Sequence, residues 1–441
     1  MKFAVVTLAI VTLAILALLV PARTTASVRP PDIIVVMVDD LGRGPAQRLL
    51  KRLPTLKARF VDSGIRFANA YGETPLCCPA RAGFLSGLHT HNHGITANHP
   101  AGFDQTRTIA TALHDAGYWT VLVGKYFNRP EELELPPPGW DVFEIKSGGG
   151  GNYRPDWVAR TTAEAVSAAP VTQPLFVVMS SSAPHNARGS WLPGPSPVHE
   201  GDPACKRIRR WHPPNYDEPD RTDKPAYTQA LPPAPFPDGW PLRRHCEALL
   251  SVDDGVRWTE DALRERGRLD EAVWLFLSDN GMTYGEHRWP FKLSPYSTPL
   301  PVWASWPAGR GTSPRVESRH VSMIDLGRTL AALGGAEMGW ADGLDVNALF
   351  RDAPMEIDRT ELLESLPDGS EEPAMGLPAV PPWWGVRTTD GRWRYVEWDT
   401  GERELYDLTA DPWELTNVAG DPDYAETEAA LAIRLEELRA R

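Results

Sequence analysis

Cysteine is scarce in this chain, with four residues among 441, at positions 77, 78, 205 and 246. So few exclude a disulfide scaffold in a protein of this size. Cys205 and Cys246 flank a proline-rich stretch and are candidates for a single pair, whereas the adjacent Cys77 and Cys78 are poorly placed to bridge each other. Basic residues are outnumbered, 45 against 58 acidic, for a net charge of -13. That balance excludes nucleic acid or an anionic membrane surface as the general partner, while leaving room for a small anion in a local cleft. No N-x-Ser/Thr sequon occurs, which is consistent with export from a bacterial cell. Long apolar runs are missing too, apart from Phe3 to Val20, which follows Lys2 and precedes "PARTTAS". This pattern predicts an export signal over 1–26, cleaved near Ala22 or Ala26, and a secreted or extracytoplasmic protein. Membrane attachment follows only if the segment stays uncleaved, since about 18 apolar residues suffice for a span.

The rest of the composition, 42% hydrophobic with 17 tryptophans, provides for a large core. "DIIVVMV" (Asp32 to Val38), "YWTVLV" (Tyr118 to Val123), "LFVVM" (Leu175 to Met179) and "AVWLFLS" (Ala272 to Ser278) are short apolar runs rich in β-branched and aromatic residues. They read as strands buried on both faces. Helical patterns ending at Gly117 and Gly267 stand just before the second and fourth of them. The fold class is therefore α/β, with a large, mostly parallel sheet flanked by helices.

Polar residues follow each strand: Asp39-Asp40, then Gly124-Lys125, then "SSAPH" ending in His185, then Asp279-Asn280-Gly281. In open α/β sheets the ligand crevice lies beyond the carboxyl ends of the strands, so these groups are expected to converge. Asp39, Asp40, Asp279 and Asn280 offer hard oxygen ligands suited to Ca2+, with Mg2+ as the alternative, and less suited to zinc. Lys125, His185 and Arg81 can hold an anion beside the metal. Within "TPLCCPARAGFLSGLHTHNHGI" (Thr74 to Ile95), Pro79 suits a first helical position, giving a short helix that ends near Gly87 with Cys77 just ahead of its N-terminus.

Cys77-Cys78-Pro79-Ala80-Arg81 matches the C-x-P-x-R maturation motif of the formylglycine-dependent sulfatases, in the alkaline phosphatase superfamily. The chain resembles that family also in "VVMVDDLG", "VGKYFN", "SSSAPHN", "FLSDNG", "GEHRWPFKLSPYSTPLPVW" and "ELYDLTADPWELTNVA", in family order across nearly the whole exported chain. "LCCPAR", "HTHNHGI", "GKYFN" and "LLSVDDGV" are most similar to the glucosamine and heparan sulfatase subgroup.

The resemblance implies a sulfuric ester hydrolase whose Cys77 is oxidised to formylglycine by a separate formylglycine-generating enzyme. It implies a hydrated aldehyde as nucleophile, a covalent sulfated intermediate, and a sulfated small molecule or glycan as substrate. Asp39, Asp40, Asp279 and Asn280 correspond to calcium ligands, with Cys77 bound to the same ion. Arg81 and Lys125 correspond to groups that stabilise the hydrate and the sulfuryl oxygens, and His185 and Lys292 to groups that bind sulfate and protonate the departing oxygen. His287 is a candidate either for the pocket or for a solvent-facing position. A phosphonate or phosphodiester hydrolase, a metal-dependent phosphatase of the superfamily and a catalytically inactive glycan-binding homologue are the competing readings.

The chain departs from the family at three places. Phe127 and Asn128 follow Lys125 where many arylsulfatases carry a histidine, so the base for sulfate release is unassigned, with His91 or His93 as substitutes. Ala80 stands where serine is frequent, and Leu88 where many relatives are basic. The expected organisation is a catalytic domain over 30–352, containing a proline-rich insertion at 187–241 that walls the substrate pocket, and a small C-terminal subdomain over 373–441. In the latter "WWGVRTT", "RWRYVEW" and "ERELYDL" read as antiparallel strands, joined at the "TTDGRW" turn and followed by a helix from about Tyr424.

Overall fold

The computed structural model describes residues 29–145, 155–194, 196–367 and 377–441. The export signal expected over 1–26 lies outside them. Eight strands form the main sheet: β1 (Ile33–Val38), β2 (Ile65–Tyr71), β3 (Trp119–Gly124), β4 (Val142–Glu144), β5 (Leu175–Ser180), β6 (Val273–Ser278), β7 (Val302–Ser305) and β8 (Arg315–Ser322). Their spatial order is β4-β3-β5-β1-β6-β7-β2-β8. Strand β7 runs antiparallel to both its neighbours, and the remaining pairs are parallel.

The four apolar runs read from sequence are β1, β3, β5 and β6, the contiguous centre of the sheet apart from its edges. Every residue of β1 is buried. Ile33, Val35 and Met37 enter one core while Ile34, Val36 and Val38 enter the other, on the opposite face. Burial on both faces is why the run shows no polar alternation. Helix Arg243–Glu265 packs on the second face, and Cys205 and Cys246 are joined in a disulfide that ties the insertion to this helix.

The helix bearing Cys77 runs from Cys77 to Ser86 and begins two residues earlier than Pro79 suggested. Leu76 is its extended N-cap, and Ala80 N donates to Leu76 O at 2.9 Å. Proline is tolerated in the third position because the first helical N–H groups have no intrahelical acceptor to lose. The helix closes at Gly87, whose φ of 73° is left-handed.

Strands β9 (Glu361–Ser365), β10 (Trp383–Arg387), β11 (Trp393–Trp398) and β12 (Arg403–Asp407) form the expected small antiparallel sheet, carrying helix Ala425–Arg439. Trp383 Nε1 donates to Leu293 O at 2.7 Å, and Glu364 N to Glu73 O, so both sheets belong to one compact unit from Pro31 to Arg441. Among the described residues no helix is long and apolar enough to cross a membrane.

Candidate active site

The carboxyl ends of β1, β3, β5 and β6 lie side by side, so the residues that follow them meet. Asp39 and Asp40 leave β1, Lys125 leaves β3, and Asp279 and Asn280 leave β6. Gly124 lets β3 end this way: its φ is 112°, and a Cβ there would stand 1.9 Å from Ser180 O. That close approach carries the bond from Lys125 N to Ser180 O, at 2.8 Å. Asp40 has a left-handed φ of 60°, held by its N–H to Asp279 Oδ1 at 3.3 Å and by Tyr284 Oη donating to its carbonyl.

Cys77 and Arg81, four apart on one helix, face the same way. Cys77 Sγ lies 3.6 Å from Asp39 Oδ1 and 4.0 Å from Asp40 Oδ1, and Lys292 Nζ donates to it at 2.9 Å. Arg81 Nε pairs with Asp279 Oδ2 at 2.8 Å, while its Nη1 donates to Lys125 O and Ser180 Oγ. Lys125 Nζ pairs with Asp39 Oδ2 at 2.7 Å, and Lys292 Nζ with Asp40 Oδ1 at 2.8 Å. His185 Nε2 is 3.3 Å from Asp40 Oδ2. All nine expected site residues, Asp39, Asp40, Cys77, Arg81, Lys125, His185, Asp279, Asn280 and Lys292, are thus brought together.

The cluster is graded in exposure. His185 is 37% exposed, Lys292 17% and Lys125 14%, whereas Asp39, Asp40, Asp279 and Arg81 are sealed beneath them. Burial pushes the Asp39 and Asp40 carboxyls up, but Lys125 acting on Asp39, Lys292 acting on Asp40 and the neighbouring cations outweigh it and hold both below their ordinary value. Asp279 moves the other way, raised by burial and by the charge on Asp39. Burial also pushes the Cys77 thiol far up, so the unmodified side chain stays protonated and is a poor nucleophile.

The residues fit a divalent cation. Ligand atoms of Asp39, Asp40, Cys77 and Asp279 lie within 4.8 Å of one another. Asn280 Nδ2 donates to Asp40 Oδ1 at 2.8 Å and to Gly281 O, leaving its buried Oδ1 without a partner. An orphaned amide oxygen among crowded carboxylates, with no imidazole in the set, is a donor arrangement for a hard ion.

Several sequence expectations are corrected. His287 neither enters the pocket nor faces solvent; it is fully buried against Glu218 and Asn215. His91 and His93 lie in the short helix Thr90–His93, which follows the turn at Gly87 and packs back on the Cys77–Ser86 helix. His91 Nδ1 pairs with Glu364 at 3.0 Å and His93 Nδ1 accepts from Ile95 N, so the Nδ1 of each ring is engaged outside the Cys77 cluster. Phe127, in the place of the usual histidine, packs edge-on to Phe103 with ring centroids 5.1 Å apart.

Two residues of the surrounding shell were not singled out from sequence. Ser180 binds Arg81 and also donates to Lys125 O at 2.5 Å; as the polar end of a buried strand it carried the same signal as Asp39. Asn98 Oδ1 accepts from Cys78 N at 3.0 Å, capping from a distant loop the helix whose own N-cap, Leu76, offers no acceptor. No local pattern announces that contact.

Residues 31–336 match the Sulfatase family, and residues 285–441 match "N-sulphoglucosamine sulphohydrolase, C-terminal". The choline-sulfatase of Rhizobium meliloti (strain 1021) is 27% identical over 91% of this chain and 85% of its own length. Human N-acetylglucosamine-6-sulfatase is 25% identical over 89% and 82%. The fold is shared with BT4656, solved with its substrate D-glucosamine-2-N,6-O-disulfate, at TM-score 0.70 and 20% identity over 93% of this chain and 98% of that one. It is shared equally with a phosphonate monoester hydrolase from Silicibacter pomeroyi, at TM-score 0.69 and 19% identity over 93% and 95%. With the Sulfatase match spanning well over half its length, the chain belongs to the sulfatase family of the alkaline phosphatase superfamily and is a sulfuric ester hydrolase.

Proposed function

We propose that the protein is an exported hydrolase of carbohydrate sulfate monoesters, with Cys77 converted to formylglycine and Ca2+ held by Asp39, Asp40, Asp279 and Asn280. The observation that carries this reading is the single buried cluster in which Cys77 meets three carboxylates, Asn280, Arg81, Lys125 and Lys292. Formylglycine supplies a hydrated aldehyde, one hydroxyl for attack on sulfur and a second for the later release of sulfate. A bound divalent ion supplies Lewis acidity toward an oxygen of the ester.

The chain's own residues divide the remaining work. Arg81, held by Asp279 and by Lys125 O, Tyr126 O and Ser180 Oγ, places a fixed positive charge beneath the cluster, with its buried Nη2 left without a partner. Lys125 adds a fixed positive charge on the same side. His185 Nδ1 donates to Asn186 O at 2.9 Å, which fixes the proton there and makes Nε2 the atom that takes or gives one. Its position at the opening, beside Lys292, suits protonation of a departing sugar oxygen.

The carbohydrate substrate is supported by the glucosamine-type C-terminal match and by the N-acetylglucosamine-6-sulfatase relative. Export is supported by the apolar run after Lys2 and by the Cys205–Cys246 disulfide, which needs an oxidising compartment. The test is turnover of a sulfated glucosamine, an aryl sulfate and an aryl phosphonate by protein co-produced with a formylglycine-generating enzyme. Sulfate release faster than phosphonate cleavage is expected. Preferential phosphonate cleavage would favour the phosphonate hydrolase reading, and glycan binding without turnover would favour an inactive homologue.

A further inference from the structure

Lys292 reaches Cys77 and Asp40 from the foot of a hairpin whose tip is strained. Thr283 N donates to Phe291 O at 2.8 Å and Gly285 N to Trp289 O at 2.7 Å, while His287 and Arg288 at its tip are left-handed, with φ of 50° and 66°. Left-handed backbone at non-glycine residues is unfavourable and persists only when the surroundings enforce it.

The 187–241 insertion supplies that enforcement. Asp217 N donates to Gly285 O at 2.8 Å and His287 N to Asn215 O at 2.7 Å. Arg288 pairs with Asp217 at 3.0 Å, and Phe291, next to Lys292, stacks on Trp191 with centroids 5.1 Å apart. His287 is the inner point of this grip. Its side chain is fully buried, its Nδ1 is 2.5 Å from Glu218 Oε2, and its ring packs 4.2 Å from that of Tyr296.

The tautomer follows from the partners. Asn215 Nδ2 donates to Trp413 O at 3.0 Å, which fixes the amide because a carbonyl only accepts. The same Nδ2 therefore donates to His287 Nε2, at 3.0 Å, and the ring proton is on Nδ1, directed at Glu218. Burial pushes His287 down to about 3, so the ring stays neutral in this role.

We infer that His287, with Glu218 and Asn215, is a positioning residue for Lys292, and that the insertion acts on the reaction by fixing the hairpin from which that ammonium reaches the nucleophile. The inference rests on the sulfatase reading of Lys292. A misplacement of about 1 Å at a reacting group can cost about 100-fold in rate. Loss of the grip is therefore a loss of leaving-group assistance more than of binding.

The test compares wild type, His287→Ala, His287→Asn, Glu218→Gln and Lys292→Ala on an alkyl sulfate and an activated aryl sulfate. His287→Ala is expected to lower kcat on the alkyl ester at least about tenfold, with a smaller loss on the aryl ester and KM changed less than about threefold. His287→Asn keeps an N–H toward Glu218 and is expected to recover most of the rate. Combined with Lys292→Ala, His287→Ala is expected to add little further loss, because the two act through one group. Equal losses on both esters, additive losses in the double variant, or wild-type rates would each overturn the inference. If His287→Ala does not fold, Glu218→Gln carries the test, with the same leaving-group pattern expected at smaller size and its absence counting against it. A wild type that hydrolyses neither ester would instead mark failure of the proposed function, and a Lys292→Ala variant without leaving-group dependence failure of the leaving-group role given to Lys292.

Discussion

Two buried ionic clusters stand in this protein with similar ingredients and a different balance of charge. One is the site, where Asp39, Asp40 and Asp279 face Arg81, Lys125 and Lys292. The other joins Glu73, Asp325, Glu361, His320 and Arg359, beneath the junction with the small sheet. There Arg359 forks across Asp325 at 2.8 and 2.6 Å and also meets Glu361 at 2.8 Å. One arginine stands against three carboxyls there, and burial together with Glu361 pushes Glu73 well above its ordinary value. In the site Asp39 and Asp40 are held ionised, and the uncompensated charge falls on Asp279 beside the orphaned Asn280 Oδ1. The site sets three cations against three carboxylates and adds an orphaned amide oxygen, a donor set that a metal ion and a substrate anion can use.

The largest expected effect comes from the nucleophile. Cys77→Ala should lower turnover by about 1,000-fold or more while circular dichroism and the unfolding midpoint stay near those of wild type, since one metal contact and a small side chain are lost. Cys78→Ser should keep most of the turnover, because Cys78 Sγ accepts from Asn128 N at 3.2 Å and donates to Asn128 O at 3.8 Å, contacts a hydroxyl can take over. A Cys78→Ser variant as inactive as Cys77→Ala would place the reacting group at the wrong cysteine.

Chelation of divalent ions comes next. It should abolish turnover and also lower the unfolding midpoint, because an ion present at 100 times its Kd stabilises the fold by about 2.7 kcal/mol. Calcium should restore both better than zinc. Full activity after exhaustive chelation, or recovery with zinc alone, would remove the distinction between the two clusters.

Much of the site was legible because strand ends in a parallel sheet are predictable places. Asp39, Lys125 and Asp279 were found as the polar residues closing β-branched runs, and His185 two residues beyond Ala183 in the loop after β5. Cys77 and Arg81 were picked out by the resemblance of Cys77-Cys78-Pro79-Ala80-Arg81 to the C-x-P-x-R motif. What escaped was set by long-range geometry. Glu218 and His287 are 69 residues apart and meet only because the insertion folds back on the hairpin. Strand β9, Glu361–Ser365, lacks β-branched residues and exists by pairing with β10. Asn98 is 20 residues from the backbone N–H it caps.

Outside both clusters, replacing Cys205 and Cys246 with serine should cost about 2–4 kcal/mol of stability in chemical denaturation, since their 41-residue separation closes a long loop in the unfolded chain. A loss well above that range would show that the disulfide does more than restrict the unfolded state.

The smallest effect is expected at Glu73. Glu73→Gln removes a charge that burial and Glu361 already disfavour and keeps an oxygen for Ile324 N, now 3.2 Å from Oε1. Stability should change by less than about 1 kcal/mol and turnover not at all. Asp279→Asn, the matching change in the site, should instead leave Arg81 buried without its carboxylate partner and cost most of the activity. Similar outcomes for the two substitutions would break the contrast between the clusters.

The most direct measurement is peptide mass spectrometry across residues 74–95 of enzyme whose turnover has been measured on the same preparation. The expected result is an aldehyde at Cys77 and an intact thiol at Cys78, with turnover proportional to the fraction converted. Full turnover from protein carrying an unmodified Cys77 would contradict the formylglycine mechanism outright.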